Sequence, residues 1–204
     1  MNAGVRALAT AKRRRAILDA ALGLFVANGV SATTLEQILK RSGASVGSFY
    51  HHFDDKVDVA ATLYFELLDK YFDEFLAAVR SQRSAEAGIK AGVRYHLKWV
   101  ERETMGAIYV GHRAGSEAQR ESVGRIVDPL KRFFGQLESW LNAHAEKHAV
   151  RRSPFDVTWA LWLGPAEVFT RWWVLSERDV QAMRRAEKVL PASAWETLRY
   201  RGRK

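Results

Sequence analysis

A chain of 204 residues that is 48% hydrophobic can bury one sizeable core, or a small unit beside a larger one. It contains no cysteine, which excludes a disulfide framework and thiol chemistry and suits a reducing compartment. Its apolar runs fall short of the ~18 residues that a membrane span needs, its first 15 residues lack an apolar leader segment, and a formal charge of +9 suits nucleic acid, a membrane surface or simple solubility alike. A cytoplasmic protein with no membrane part is expected, and no strand pattern, internal repeat or low-complexity tract interrupts a helical pattern from end to end.

Met1 to Ala11 lacks periodicity and reads as a mobile arm ending near Thr10, a residue suited to cap a helix. Lys12-Arg13-Arg14-Arg15 follows, a solvated helix end or a grip on phosphate. The first helix then runs to Asn28-Gly29, with Ile17, Ala20, Ala21, Leu24 and Phe25 as its buried stripe. Positive charge is densest in this part, since Met1 to Lys56 carries eight basic against four acidic residues.

The stretch Thr33 to Lys56, TTLEQILKRSGASVGSFYHHFDDK, reads as two short helices joined by a tight turn, which is the shape of a DNA reader. Thr33 with Glu36, or Thr34 with Gln37, fits the capping-box spacing, and Gly43 closes the helix in a left-handed conformation. Ser45 caps the second helix, whose buried stripe is Val46, Phe49 and Phe53. Gly47, Ser48, His51 and His52 point the other way, with Tyr50 at the border. In the major groove, hydroxyl and imidazole groups meet base edges and a glycine lets the backbone approach closely. The candidate DNA contacts are therefore Thr33, Thr34, Ser45, Gly47, Ser48, Tyr50, His51, His52 and Lys56, with Tyr50, His52, Lys56 and the two threonines assigned to phosphates.

At these residues the chain resembles the TetR family of transcription regulators, whose recognition segment reads like G-x-L-Y-x-H-F-x-x-K after a helix that starts T-T. Here Gly47-Ser48-Phe49-Tyr50-His51-His52-Phe53-Asp54-Asp55-Lys56 stands in its place, with Phe49 for the usual leucine and a second aspartate before Lys56. Close similarity covers about the first quarter of the chain, and the remainder is similar in length and helical pattern. The resemblance implies an all-α fold, a three-helix DNA-binding domain over 1–56 and a larger ligand-binding and dimerisation domain over 57–204. It also implies repression relieved by a small molecule of unknown identity, with no cofactor.

Beyond Asp54, read as an N-cap, one helix keeps its apolar spacing from Val57 to Val79 and leaves the DNA-binding part as a lever. Arg80 to Ala87 breaks the pattern, and Ile89 to Val110 forms the next helix. Gly111 to Glu121 reads as a loop or broken helix, before a helix from about Ser122 to Lys147 in which Pro129 makes a kink or the true first turn. Pro154 opens a tryptophan-rich helix that Gly164-Pro165 interrupts, and Val180 to Tyr200 closes the chain with Pro191 as kink or restart. His96, Trp99, Arg102, Tyr109 and Trp162 are the candidate ligand-binding residues. Trp162, Ala166, Phe169, Trp173, Trp195 and Leu198 are the candidate homodimer interface, since so many tryptophans on a terminal helix pair would otherwise face water.

Two sharper motifs compete with this reading. Gly43-Ala44-Ser45-Val46-Gly47 matches the G-x-S-x-G nucleophile elbow, which requires a strand before the serine, whereas a helix is expected there. His144 and His148 lie four apart around Glu146, a zinc spacing without the further ligands that a zinc site needs. The expected function is sequence-specific transcription regulation on a palindromic double-stranded operator by a non-enzyme without metal. The alternative is a constitutive architectural DNA-binding protein with no effector.

Overall fold

The computed structural model describes residues 2–113 and 118–202, with side chains at 4–111 and 127–202. Among the described residues the fold is all-α: α1 (Asn2–Asn28), α2 (Leu35–Ser42), α3 (Val46–Tyr50), α4 (Lys56–Arg80), α5 (Ala85–Arg102), α6 (Thr104–Ile108), a π-helical turn at Tyr109–Arg113, α7 (Ala118–Glu146), α8 (Phe155–Trp162), α9 (Gly164–Leu175) and α10 (Val180–Leu198). The sole β feature among them is an isolated antiparallel bridge between Val150 and Arg199. No described helix is long and apolar enough to cross a membrane.

Contacts divide the chain into two compact units, Met1–Leu68 with Met105–Ile126, and Asp69–Thr104 with Val127–Lys204. The core of the first is built on Ile17, Leu18, Phe25, Ile38, Phe49 and Leu63, and it takes in Tyr109 from the distant segment. The second is an aromatic core in which Phe72 and Phe133 stack with centroids 4.3 Å apart and Phe75 packs 5.9 Å from Trp162. Gly92 makes room for that packing, because a Cβ there would lie 2.8 Å from the Phe75 ring.

Several boundaries differ from the expectation, each for a local reason. The arm before Thr10 is helical, so α1 starts at Asn2. Alanine, arginine and leucine supply helix propensity there, and because Val5 and Leu8 are both exposed, no buried face exists to leave a periodic signature. Ile89 to Val110 is not one helix. α5 ends at Arg102, where the Glu103 N–H closes on the Trp99 carbonyl at 2.7 Å, and α6 and the π-helical turn carry the chain on. The expected loop from Gly111 to Glu121 begins in that π-helical turn and ends within α7, while 114–117 lie outside the described residues. Pro129 and Pro191 are both interior to their helices and start neither. Asp55, not Asp54, caps α4: its Oδ1 accepts from the N–H groups of Val57 (2.7 Å) and Asp58 (2.8 Å).

Candidate nucleic-acid interface

Local capping builds the α2–α3 pair. The Thr34 hydroxyl accepts the Gln37 N–H at 3.2 Å while the Gln37 side chain accepts the Thr34 N–H at 2.9 Å, a full capping box, so of the two threonine registers this one is used. Gly43, at φ 69°, ends α2, and the Ser45 hydroxyl accepts the Ser48 N–H at 3.2 Å to start α3. Phe49 and Phe53 are buried and hold α3 on the core of the first unit. Ser45 therefore lies between two helices with its hydroxyl engaged as a cap, and the nucleophile-elbow geometry is absent.

The opposite face is open. Gly47, Tyr50 and His51 are exposed, while Ser48 and His52 are half-buried. Val46, placed in the buried stripe by its spacing to Phe49, is 56% exposed instead. It occupies the first turn of a five-residue helix that Phe49 and Phe53 suffice to anchor, which leaves its methyl groups on the outward side. A Cβ added to Gly47 would meet nothing within 4 Å, so no neighbour inside the chain requires glycine there. The His51 and His52 rings stand 4.9 Å apart, and slight burial, then His51, Arg14 and Arg13 in that order, lower the pKa of His52. Arg13 and Arg14 thus belong to the electrostatic surroundings of this face.

The residues assigned to gripping phosphates divide differently. Thr33 is fully buried and its hydroxyl donates to the Gly29 carbonyl at 2.7 Å, so it presents nothing outward. The Lys56 ammonium donates to the Ser31 carbonyl (3.0 Å) and the Thr33 carbonyl (2.7 Å), tying the start of α4 to the loop that enters α2. Arg14 pairs with Glu66 at 2.7 Å and lies over the Phe53 ring at 5.5 Å, which braces the base of the reading helix against α1 and α4. Arg15 pairs with Asp19 in its own helix. Lys12 and Arg13 remain as exposed cations of the cluster. The bracing role of Arg14 was missed in the sequence because its partners lie ~40 and ~50 residues away, beyond any local spacing rule.

The five candidate ligand residues do not converge. His96 and Trp99 share a buried cluster with Tyr71, whose ring centroid is 4.8 Å from that of Trp99. Because the Thr170 hydroxyl donates to the Glu167 carbonyl (3.1 Å), it accepts from His96 Nε2–H (3.1 Å), and His96 Nδ1 then accepts from the Tyr71 hydroxyl (2.9 Å). Burial holds the His96 pKa down at about 4, so the ring is neutral, and burial first, then Glu167 and Tyr95, push that of Tyr71 up. Trp162 is core, its indole N–H donating to the Ile89 carbonyl at 2.9 Å. Arg102 is exposed and paired with Glu74 at 3.0 Å. Tyr109 belongs to the first unit, stacked on Phe25 and donating to the Ala60 carbonyl at 2.8 Å.

Of the candidate interface residues, Trp162, Ala166, Trp173 and Leu198 are buried within their own chain, and Phe169 and Trp195 are half-buried. The apolar side chains that α9 does expose are Val168 (55%), Trp172 (70%) and Leu175 (66%), an i, i+4, i+7 stripe. Trp173, expected at the interface, is buried while its neighbour Trp172 is exposed; α9 is apolar on both faces, so spacing alone does not say which one faces the core.

Residues 17–63 match the family described as bacterial regulatory proteins, tetR family. The chain is 35% identical over 79 residues to the HTH-type transcriptional repressor KstR2 of Rhodococcus jostii, covering 39% of each chain. It is 30% identical over 118 residues to the HTH-type transcriptional regulator BetI of Rhizobium meliloti, covering 56% of this chain and 57% of BetI. These matches span well under two thirds of either relative. Over nearly its whole length the fold is that of the fatty acid degradation regulator FadR of Bacillus halodurans (TM-score 0.78, 20% identity, 93% of this chain and 97% of that one). It is also that of the ketosteroid transcriptional regulator KstR2 of Mycobacterium tuberculosis (TM-score 0.73, 21% identity, 93% and 96%). Residues 17–63, with their two capped helices, thus carry the N-terminal module of the TetR family of bacterial regulatory proteins, on an all-α fold shared with solved regulators.

Proposed function

We propose that the protein is a sequence-specific DNA-binding transcription regulator, a repressor that works as a homodimer on a palindromic operator and is released by a small-molecule ligand. The observation that carries the reading is the division of α3, with Phe49 and Phe53 sunk in the core and Val46, Gly47, Ser48, Tyr50 and His51 turned outward around a backbone open to close approach. Ser48 and His51 supply hydrogen-bonding groups for base edges, and Val46 supplies an apolar contact of the kind that reads a thymine methyl. Lys12 and Arg13 take the phosphate role, with Thr34 at the N-terminus of α2. α4 contributes its first part to the unit that holds the reader and its remainder to the second unit, so a ligand that prefers one setting of α4 acts on the reader through a continuous helix. The homodimer is assigned to the exposed α9 stripe.

Binding titrations on the preferred operator and on random DNA test this. Ser48→Ala and His51→Ala are each expected to cost about 1–3 kcal/mol on the operator and much less on random DNA. A pair of variants that keep full discrimination would place the reading surface elsewhere, and a wild-type protein that binds random DNA as tightly as any palindrome would favour an architectural role. Arg14 separates bracing from gripping. Arg14→Ala should lower operator affinity while leaving the dependence of log affinity on log salt as it is in the wild type, whereas Arg13→Ala should flatten that dependence by roughly two in a dimer. A flattened slope for Arg14→Ala would make it a phosphate contact after all.

A further inference from the structure

A cleft of about 310 Å³ lies within the second unit, bounded by one face of α7 (Glu138, Leu141, Asn142, Glu146), the α7–α8 connection with Arg151 and Arg152, and Leu198 at the end of α10. Its floor is apolar and buried at Leu141, Ala145, Val150 and Leu198. Its two walls carry opposite charge, Glu138 and Glu146 on the helix, Arg151 and Arg152 on the connection, and none of the four is ion-paired to another described residue. The connection is held in place. The Arg151 N–H donates to the Leu198 carbonyl (2.9 Å), the Tyr200 N–H donates to the Ala149 carbonyl (3.1 Å), and the Phe155 ring packs 5.5 Å from that of Phe134 on α7.

We propose that this cleft binds a zwitterionic small molecule with an apolar body, of the size of a large amino acid. The volume sits at the lower end of the ~300–1,000 Å³ range of small-molecule sites, which suits a body of one ring and is too small for a long-chain or multi-ring ligand. A lone anion entering it gains the two arginines but meets the two glutamates, and a lone cation meets the reverse, so a ligand bearing both charges uses both walls. Guanidinium groups offer a carboxylate paired N–H donors, and carboxylates accept from an ammonium. The apolar floor takes the body. None of the residues singled out as ligand-binding in the sequence lines this cleft, since its charged residues come from a connection and a helix face that carry no motif.

The inference rests on the reading of the second unit as the ligand-responsive part, and it is tested without DNA, so its failure is distinguishable from a failure of operator recognition. Isothermal titration of the full chain with L-phenylalanine, phenethylamine and 3-phenylpropionate compares the zwitterion with the same body carrying one charge. L-Phenylalanine is expected to bind, and each single-charge analogue to bind at least about tenfold more weakly. Arg152→Glu and Glu138→Arg, both at exposed positions whose replacement leaves the core untouched, should each abolish L-phenylalanine binding while helical circular dichroism stays at the wild-type level. Equal affinity for the three compounds, no binding of L-phenylalanine, or unchanged binding in both charge-reversed variants would overturn the proposal.

Discussion

Trp172→Arg is expected to turn the proposed homodimer into a monomer and to weaken operator binding by more than about a hundredfold, although the residue lies far along the chain from the proposed reader. The indole is 70% exposed between Val168 and Leu175, so the stripe loses nothing within its own chain when a charge is introduced, and what it loses is a surface that a second copy would cover. Two readers must stand about 34 Å apart to meet successive major grooves, and a monomer presents only one. Trp173→Arg provides the contrast. Trp173 is buried and its indole N–H donates to the Asp179 carbonyl at 2.9 Å, so a charge there should unfold the second unit. Sedimentation and thermal unfolding of the two variants distinguish the cases. A Trp172→Arg protein that still sediments as a dimer, or a wild type that is monomeric at micromolar concentration, would remove the α9 stripe from the interface.

The second large effect is on stability against pH. His96 joins α4, α5 and α9 through Tyr71 and Thr170 as a neutral ring, with a pKa held at about 4 against 6.5 for a free histidine. Between pH 6.5 and 4 the unfolded chain takes up a proton that the folded chain refuses, so the unfolded state gains as the pH falls. The contribution is whole above pH 6.5 and is lost as the pH drops through about 4, a loss of about 3 kcal/mol at most. Glu167, whose pKa is raised chiefly by burial and pulled back by Arg171, works in the opposite direction over a window that starts at its ordinary value of 4.5 and runs upward, overlapping that of His96, so the measurement is a difference. Urea unfolding of the wild type and of His96→Gln, at pH 7.5, 5.5 and 4.5, should show the wild type losing more stability on acidification. Gln keeps a donor and an acceptor but does not titrate, and parallel losses in both proteins would show that His96 is not held neutral by the fold.

How much of this was readable without the structure depends on how far apart in the chain the interacting groups lie. The caps of α2 and α3 were readable, because Thr34 with Gln37, Gly43 with Leu39 and Ser45 with Ser48 interact across three to four residues, and so was the helical character of the chain, since the buried stripe of α1 repeats at the spacing of one turn. The outward face of α3 followed from the same geometry, apart from Val46, where a five-residue helix is too short for a stripe to be certain at its first position. Side-chain roles set by distant partners were not readable. Thr33 and Lys56 have the composition of phosphate contacts, yet the first is buried against Gly29 and the second is drawn to two carbonyls more than twenty residues away.

The same limit divides the second unit. The apolar spacing of α4 and of the tryptophan-rich segments determines that these helices form and that they bury aromatic rings, because amphipathic burial and helix geometry act within one helix. Which tryptophan of the 172–173 pair faces the core, whether Tyr109 packs in the first unit or the second, and where a cleft remains open are decided only when helices from distant parts of the chain pack together. Periodicity states that a face is apolar, but packing alone decides what covers it.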